Sequence, residues 1–146
     1  MTRFTFVRTT IKRRILGAAL PLTLTICLGA SIANAEDTSA CTNATIAGRY
    51  GFLLTGTIVG FGPIGIAGLA TFDGAGHWSR SETTNINGNP LPPETIAGTY
   101  NVNADCTGST QDEQGHTSNL VIVNHGKEIL ALSTNYGAVL TIDMKK

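Results

Sequence analysis

Residues 64–86 read "IGIAGLATFDGAGHWSRSETTNI", and they show the pattern of strand and turn that recurs through the rest of the domain. Two runs rich in β-branched, aromatic and hydroxyl-bearing residues, 64–72 and 77–86, flank the four residues "DGAG". Aspartate and glycine favour tight turns, because glycine tolerates a positive φ and aspartate hydrogen-bonds to nearby backbone. The stretch therefore predicts two antiparallel strands joined by a hairpin turn.

Runs of the same kind recur after Ala35, and no segment there shows sustained helical periodicity. Short breakers rich in glycine, asparagine or proline separate them. Eight strands are predicted, at residues 46–59, 64–72, 77–86, 95–102, 106–111, 118–123, 127–134 and 138–144. Because the connections are short, sequential strands should pair antiparallel. The predicted fold class is all-β, a single antiparallel up-and-down barrel of about eight strands, with a two-sheet β-sandwich as the alternative.

The first 35 residues have the composition of a secretory signal peptide. A basic N-terminal part without acidic residues precedes a largely apolar run, and the small-x-small sequence Ala-Asn-Ala ends at residue 35. This order is typical of the leader of an exported protein. Pro21 interrupts the apolar run, which disfavours a membrane anchor. The chain is therefore predicted to be a signal peptide, 1–35, and one β-barrel domain, 36–146, secreted or periplasmic, with no membrane span after cleavage.

Charge and cysteine content narrow the partners of this domain. Five of the ten basic residues and none of the ten acidic residues lie in the leader, so residues 36–146 carry a net charge of −5. An acidic domain argues against binding to nucleic acid or to an anionic membrane. Cys41 and Cys106 remain after cleavage, and in an oxidising compartment such a pair predicts one disulfide. A metal or redox pair is disfavoured because there is no CxxC spacing and the histidines are scattered. We predict neither a metal nor another cofactor.

A short repeat marks two of the predicted strands. "TIAGRYGF", residues 45–52, returns as "TIAGTYNV", residues 95–102, which predicts two related half-barrels of four strands each. The glycine of each copy, Gly48 or Gly98, would let the strand bend or let a bulky neighbour pack closely. The tyrosine two residues later lies on the same face of the strand. We favour corner packing for the tyrosines, with ligand contact as the alternative; they are Tyr50 and Tyr100.

The run "HWSRSETT" carries chemistry on alternate residues. Alternation in a strand places Trp78, Arg80 and Glu82 on one face. An indole offers a stacking surface, a guanidinium can bind a carboxylate or enolate, and Glu82 could act as a base or as the partner of Arg80. The alternative is a solvent-facing strand with a cross-strand ion pair. Arg49, whose counterpart in the second copy is Thr99, is a further candidate if its face turns inward; Glu128 and Asp143 are candidate partners of the two arginines.

Four short motifs resemble a group of small exported bacterial proteins, and the resemblance covers nearly all of residues 36–146. The motifs are Gly48-x-Tyr50, Phe72-Asp73-Gly74-x-Gly76, Gly98-x-Tyr100-x-Val102 and Asp105-Cys106-Thr107-Gly108. This resemblance assigns no activity and carries over no functional residues. In architecture the chain is similar to lipocalin-like and allene-oxide-cyclase/dirigent-like barrels, a likeness of fold rather than of function. The cyclase-like barrels hold a flexible apolar substrate in a shaped lumen.

The leading hypothesis is a barrel that binds a small, largely apolar ligand in its lumen, with Arg80 and Glu82 fixing the ligand's orientation. The candidate ligand-binding residues are Trp78, Arg80, Glu82, Tyr50, Tyr100, Phe52, Phe72 and Arg49, with Leu54 as a further lining residue. A cyclase or isomerase on the same barrel is the second hypothesis, which needs Arg80 or Glu82 inside the cavity with a perturbed pKa. The third is a non-catalytic structural or surface-interaction protein with a filled interior and an exposed apolar patch. The direction of Trp78 and Arg80, into the barrel or out of it, discriminates among these hypotheses.

Overall fold

The computed structural model describes residues 40–146, which form nine β-strands and two short 3-10 turns. The strands are β1 (Gly48–Ile58), β2 (Gly62–Phe72), β3 (His77–Ile86), β4 (Asn89–Pro90), β5 (Glu94–Val102), β6 (Thr107–Asp112), β7 (Thr117–Val123), β8 (Glu128–Ser133) and β9 (Ala138–Lys145), and the turns are Asn43–Ile46 and Asn124–Gly126. The predicted signal peptide, residues 1–35, lies outside the described residues. Within residues 40–146, no helix is both long enough and apolar enough to cross a membrane.

Eight of these strands close into a ring in which every neighbouring pair is antiparallel. Strands that follow one another in the chain pair with each other, and the two-residue strand β4 adds to the end of β3. The ring is completed by pairing of β1 with β9, in which Ile58 lies opposite Ala138. This pairing removes the free edges that an open sheet would leave on its first and last strands. The predicted eight-stranded up-and-down barrel is confirmed, and the sandwich alternative is wrong.

The predicted strand ends agree with the observed ones to within two residues. The two-residue strand β4 is absent from the predicted strands, because residues 87–93 are rich in glycine and proline, which favour loops. Pro90 cannot donate a backbone hydrogen bond, which confines such a strand to the periphery of a sheet. β4 lies there, with Pro90 opposite Asn85 and Asn89 opposite Ile86.

The connections between successive strands alternate between the two ends of the barrel, which we call the closed end and the open end. The closed end carries the connections at residues 73–76, 103–106 and 124–127, together with the turn Asn43–Ile46. In this turn Ile46 is completely buried. The open end carries the connections at residues 59–61, 87–93, 113–116 and 134–137. The segment that precedes β1 therefore packs over one end of the ring only.

The two tyrosines of the repeat lie inside the closed end. Tyr50 and Tyr100 pack edge-on against Phe72 from either side, with ring centroids 5.5 and 5.1 Å away. The Tyr50 hydroxyl donates to the carbonyl of Gly126, and the Tyr100 hydroxyl donates to the carbonyl of Asn43 at 3.1 Å. Both rings are buried, so these hydrogen bonds satisfy polar groups that water cannot reach. The tyrosines act here as corner packing, as the sequence interpretation favoured.

The two copies of the repeat begin β1 and β5. The first copy therefore leads three of the eight ring strands and the second leads five, so the strand count does not match two equal half-barrels. Gly98 lets a bulky neighbour pack closely, as expected, but that neighbour is not the tyrosine of the repeat. The aromatic ring beside Gly98 belongs to Trp78 on the neighbouring strand, and the ring beside Gly68 belongs to Phe52.

The predicted disulfide between Cys41 and Cys106 is present, with a Cα–Cα distance of 5.0 Å. It attaches the segment before β1 to the connection between β5 and β6. The backbone N–H of Cys41 also donates to the carbonyl of Ala104 at 3.2 Å. Because this segment covers the closed end, the disulfide holds the covering residues in place as well as linking two distant parts of the chain.

A candidate ligand-binding lumen

The open half of the barrel contains a cavity of about 380 Å³. Phe72 lines its inner end, and the open-end residues Leu91, Gln114 and Tyr136 line its mouth. Sites for small organic molecules occupy roughly 300 to 1,000 Å³. The interior is thus filled by side chains at the closed end and left free above them, with room for one small molecule.

One side of the cavity is a continuous apolar wall. It is built by three neighbouring strands, β9, β1 and β2, whose inward positions are almost all hydrophobic. The residues that form this wall are Phe52, Leu54, Ile58, Ile64, Ile66, Ala70, Leu140, Ile142 and Met144. Regular alternation along each strand sends these side chains inward, and burial of apolar surface there favours a ligand of similar character.

The remaining arc of the ring carries the polar groups of the cavity. Arg80, Glu82 and Thr84 project inward from β3, and hydroxyl, amide, carboxylate and imidazole groups come from β5, β6, β7, β8 and the loops beside them. These further polar residues are Glu94, Thr110, Asp112, Gln114, His116, Ser118, Ser133 and Asn135. The cavity consequently has two chemically distinct sides, so an amphipathic molecule would have a preferred orientation in it.

The face of β3 with Trp78, Arg80 and Glu82 points into the barrel. Trp78 is 7% exposed, and its indole N–H donates to the carbonyl of Thr99 at 3.0 Å. The Arg80 guanidinium lies over the indole, with its central carbon 5.1 Å from the ring centroid. Arg80 Nε forms an ion pair with Glu82 Oε2, and the Glu82 side chain is only 2% exposed. The alternative of a solvent-facing strand is therefore wrong.

Three successive inward residues of β3, Arg80, Glu82 and Thr84, form what we call the polar column. Arg80 Nε, Glu82 Oε2 and Thr84 Oγ1 are buried and have no hydrogen bond of good geometry within the described residues. The arginine and glutamate atoms touch as opposite charges, but their angles are not those of a hydrogen bond. A buried polar atom without a partner costs about 1–3 kcal/mol. The polar column thus combines a buried ion pair with one hydroxyl, Thr84 Oγ1, that has no hydrogen-bond partner among the described residues.

Burial raises the pKa of the Glu82 carboxyl, and the positive charge of Arg80 opposes this shift without cancelling it. Desolvation dominates because a carboxylate inside the barrel loses water that one guanidinium does not replace. The folded protein therefore holds this proton more tightly than the unfolded chain does. The resulting stabilisation is complete below the usual pKa near 4.5 and is lost as the pH rises through the raised pKa.

A Glu82→Gln substitution tests this linkage. We expect the free energy of unfolding of the wild type, minus that of Glu82→Gln, to fall as the pH rises above the usual pKa near 4.5 and to level off once the pH has passed the raised pKa. Asp73 and Asp105 act in the opposite sense, since hydrogen bonds from His77 and Thr107 lower their pKa values, but they are common to both proteins and cancel in the difference. Urea unfolding at each pH measures the quantity. A difference that stays constant or increases with pH would contradict the burial of an ionisable Glu82.

The structure brings five of the eight predicted ligand-binding residues to the cavity. They are Phe52, Phe72, Trp78, Arg80 and Glu82, and Leu54 lines it as well. Tyr50 and Tyr100 pack beyond Phe72 in the closed end, away from the cavity. Arg49 is exposed on the outer side of β1, because its neighbour Tyr50 occupies the inward position. The suggested partners of the arginines are also wrong: Glu128 and Asp143 pair with Lys145, at 3.3 and 3.1 Å.

One polar pair at the mouth of the cavity was not anticipated. Asp112 is buried, and one of its oxygens accepts hydrogen bonds from the backbone N–H groups of Gln114 and His116. Its other oxygen contacts His116 Nδ1 at 3.0 Å. Asp73 and His77 form the same arrangement at the closed end. Both pairs share the sequence Asp-x-x-Gly-His, at residues 73–77 and 112–116, which is the sequence signal from which the second pair could be found.

Fold and cavity together define a small antiparallel β-barrel with a ligand-sized lumen that opens at one end. No protein-family model matches the chain, and no curated protein matches it. Among solved structures it is similar to a chain described as a de novo design of a fluorescence-activating beta barrel, with 9% sequence identity and a TM-score of 0.46. The match covers 70% of this chain and 94% of the designed one. At that identity and score the likeness carries no information about function.

Proposed function

We propose that residues 36–146 form an exported binding barrel that holds one small, largely apolar ligand in its lumen. The observation that carries this proposal is the cavity of about 380 Å³, with an apolar wall on one side and the polar column on the other. Eight-stranded barrels either fill their interior with side chains or hold one small ligand. Here the closed end is filled and the open half is not, which supports the second use.

Export is part of the same proposal. The leader-like composition of residues 1–35 supports it, and so does the disulfide, because disulfides persist in oxidising compartments and are rare in reducing ones. The disulfide also keeps the closed end covered. A ligand would therefore enter and leave through the open end, past Leu91 and Tyr136.

Binding of the neutral dye N-phenyl-1-naphthylamine tests the proposal. Transfer of the dye from water to the lumen will increase its emission, and excitation of Trp78, the single tryptophan of the chain, will transfer energy to it. We expect Leu140→Trp, which enlarges a side chain of the apolar wall, to weaken binding at least about tenfold. Thr141→Trp is the matched control, since the adjacent residue is exposed on the outer face of β9 and should leave the affinity unchanged.

Two results would overturn the lumen as the site. One is a wild-type protein that leaves the dye's emission as it is in water. The other is equal affinity in Leu140→Trp and Thr141→Trp, which would place the dye on the outer surface. Circular dichroism of both variants establishes that each retains the barrel.

An isomerase or cyclase is a second candidate, favoured by one observation. Glu82 is a buried carboxyl inside the cavity, and burial raises its pKa, which suits a group that transfers a proton to or from a bound substrate. A binding barrel returns its ligand unchanged, whereas an isomerase returns a rearranged product, so analysis of the recovered ligand separates the two. The third hypothesis, a filled structural barrel, is disfavoured by the cavity itself.

A further inference from the structure

We infer that the lumen selects neutral or cationic amphiphiles and rejects anionic ones. This inference rests on the proposed function and specifies the ligand class of the same site. It reverses the role first considered for Arg80, which was to bind a carboxylate or enolate of the ligand. The reversal follows from the surroundings of that guanidinium inside the barrel.

The charge of Arg80 is already engaged by the protein. Its Nε contacts the Glu82 carboxylate, and one face of the guanidinium lies on the Trp78 ring. An anionic group approaching Arg80 would have to lie beside the Glu82 carboxylate, whose side chain is almost completely removed from water. Like charges repel strongly in such an environment. A hydroxyl, amide or amine group avoids this repulsion and can hydrogen-bond to Thr84 Oγ1, and an amine is also attracted by the Glu82 carboxylate.

The distribution of charge over the domain acts in the same direction. Among the residues that line the cavity there is one arginine, Arg80, and no lysine. Three acidic residues line it: Glu82, Glu94 and Asp112. The other basic side chains of residues 40–146 belong to the closed-end half of the barrel, and they are Arg49, Lys127, Lys145 and Lys146. Glu113 adds a further acid to an open-end loop. An anion therefore meets a negative potential at the mouth, whereas a cation is attracted.

Two dyes with the same ring system separate charge from shape. N-phenyl-1-naphthylamine is neutral, and 1-anilinonaphthalene-8-sulfonate adds only a sulfonate. At about pH 8, where histidine is mainly neutral, and at low salt, we expect the neutral dye to bind the wild type at least about tenfold more tightly. Glu82→Gln leaves Arg80 without its counter-charge, so the sulfonate should gain at least about tenfold in affinity.

Asp143→Asn is the matched control for net charge. It also removes one negative charge, but Asp143 lies on the outer side of β9, half exposed beside Lys145. The ratio of the two dye affinities should equal that of the wild type. A rise in sulfonate affinity of the same size in Asp143→Asn and Glu82→Gln would show that only overall charge matters, and it would overturn the inference.

A displacement series on the wild type does not depend on any variant folding. Decanol, decylamine and decanoate share one chain length and differ in head-group charge. We expect decanol and decylamine to displace the neutral dye at concentrations at least about tenfold below that of decanoate. Decanoate as effective as decanol, or the sulfonate dye bound as tightly as the neutral one, would overturn charge selection while leaving lumen binding intact. Failure of all probes to bind would instead overturn the proposed function.

Discussion

Replacement of both Cys41 and Cys106 by serine will lower the free energy of unfolding by about 4 kcal/mol. The disulfide joins residues separated by 65 positions, and a cross-link of that span removes much of the conformational freedom of the unfolded chain. It also retains the segment that covers the closed end, where Ile46 is fully buried and Asn43 accepts the hydrogen bond of Tyr100. Loss of the cross-link therefore affects both the unfolded chain and the covered end of the barrel.

Urea unfolding of three samples measures this effect: the oxidised wild type, the reduced wild type and the double serine variant. The last two should have the same midpoint, because both lack only the cross-link. A loss below about 1 kcal/mol would contradict the structural role assigned to the disulfide. If the double variant does not fold, the folded wild type can be titrated with a reductant instead. Unfolding should then accompany reduction of the disulfide.

Substitution of Gly98 by alanine will cost at least about 3 kcal/mol, the upper part of the range for overpacked sites. A methyl group at this position would lie 2.8 Å from Asp112 Cα on β6 and 2.8 Å from Trp78 Cε2 on β3. One of these neighbours is backbone and cannot rotate away. The other is the indole at the base of the polar column, so the variant should also shift the emission of Trp78.

Gly65→Ala is the matched control for Gly98→Ala. Gly65 is also a strand glycine, but an added methyl group there meets nothing within 4 Å. We expect a neutral effect or a stabilisation of less than about 1 kcal/mol, since alanine restricts the unfolded chain more than glycine does. Thermal unfolding followed by circular dichroism compares the pair. Equal stability of the two variants would show that β3, β5 and β6 do not approach as closely as described.

The barrel was largely predictable from local patterns, because the strands alternate with short glycine-rich turns and neighbouring strands in the chain are neighbours in space. The orientation of β3 was harder. Both of its faces are polar in sequence, with serine and threonine opposite Arg80 and Glu82, so hydrophobicity alone does not specify which face is buried. What decides it is packing: Trp78 fits only where Gly98 lies opposite on the next strand.

The remaining parts of the site depend on contacts between distant segments. Asp112 and His116 reach the cavity mouth because the ring brings the connection between β6 and β7 to the open end, and no local pattern contains that information. Tyr50 and Phe52 lie on the same face of β1 but at different depths along the barrel. Phe52 lines the cavity, whereas Tyr50 lies beyond it in the closed end. Sequence alternation predicts the face of a strand, whereas the depth of a side chain in the barrel follows only from the register of all eight strands.

The pairing of β1 with β9 also determines when the lumen comes into existence during folding. These are the first and last strands along the chain. Their pairing therefore closes the longest loop of any strand pair in the barrel, and it costs the most chain entropy. The other pairings can form hairpin by hairpin before the ring is sealed. A molecule that recognises the complete lumen has no site to bind until that step is finished. Such a molecule will leave the folding rate unchanged and will slow only the rate at which the ring reopens.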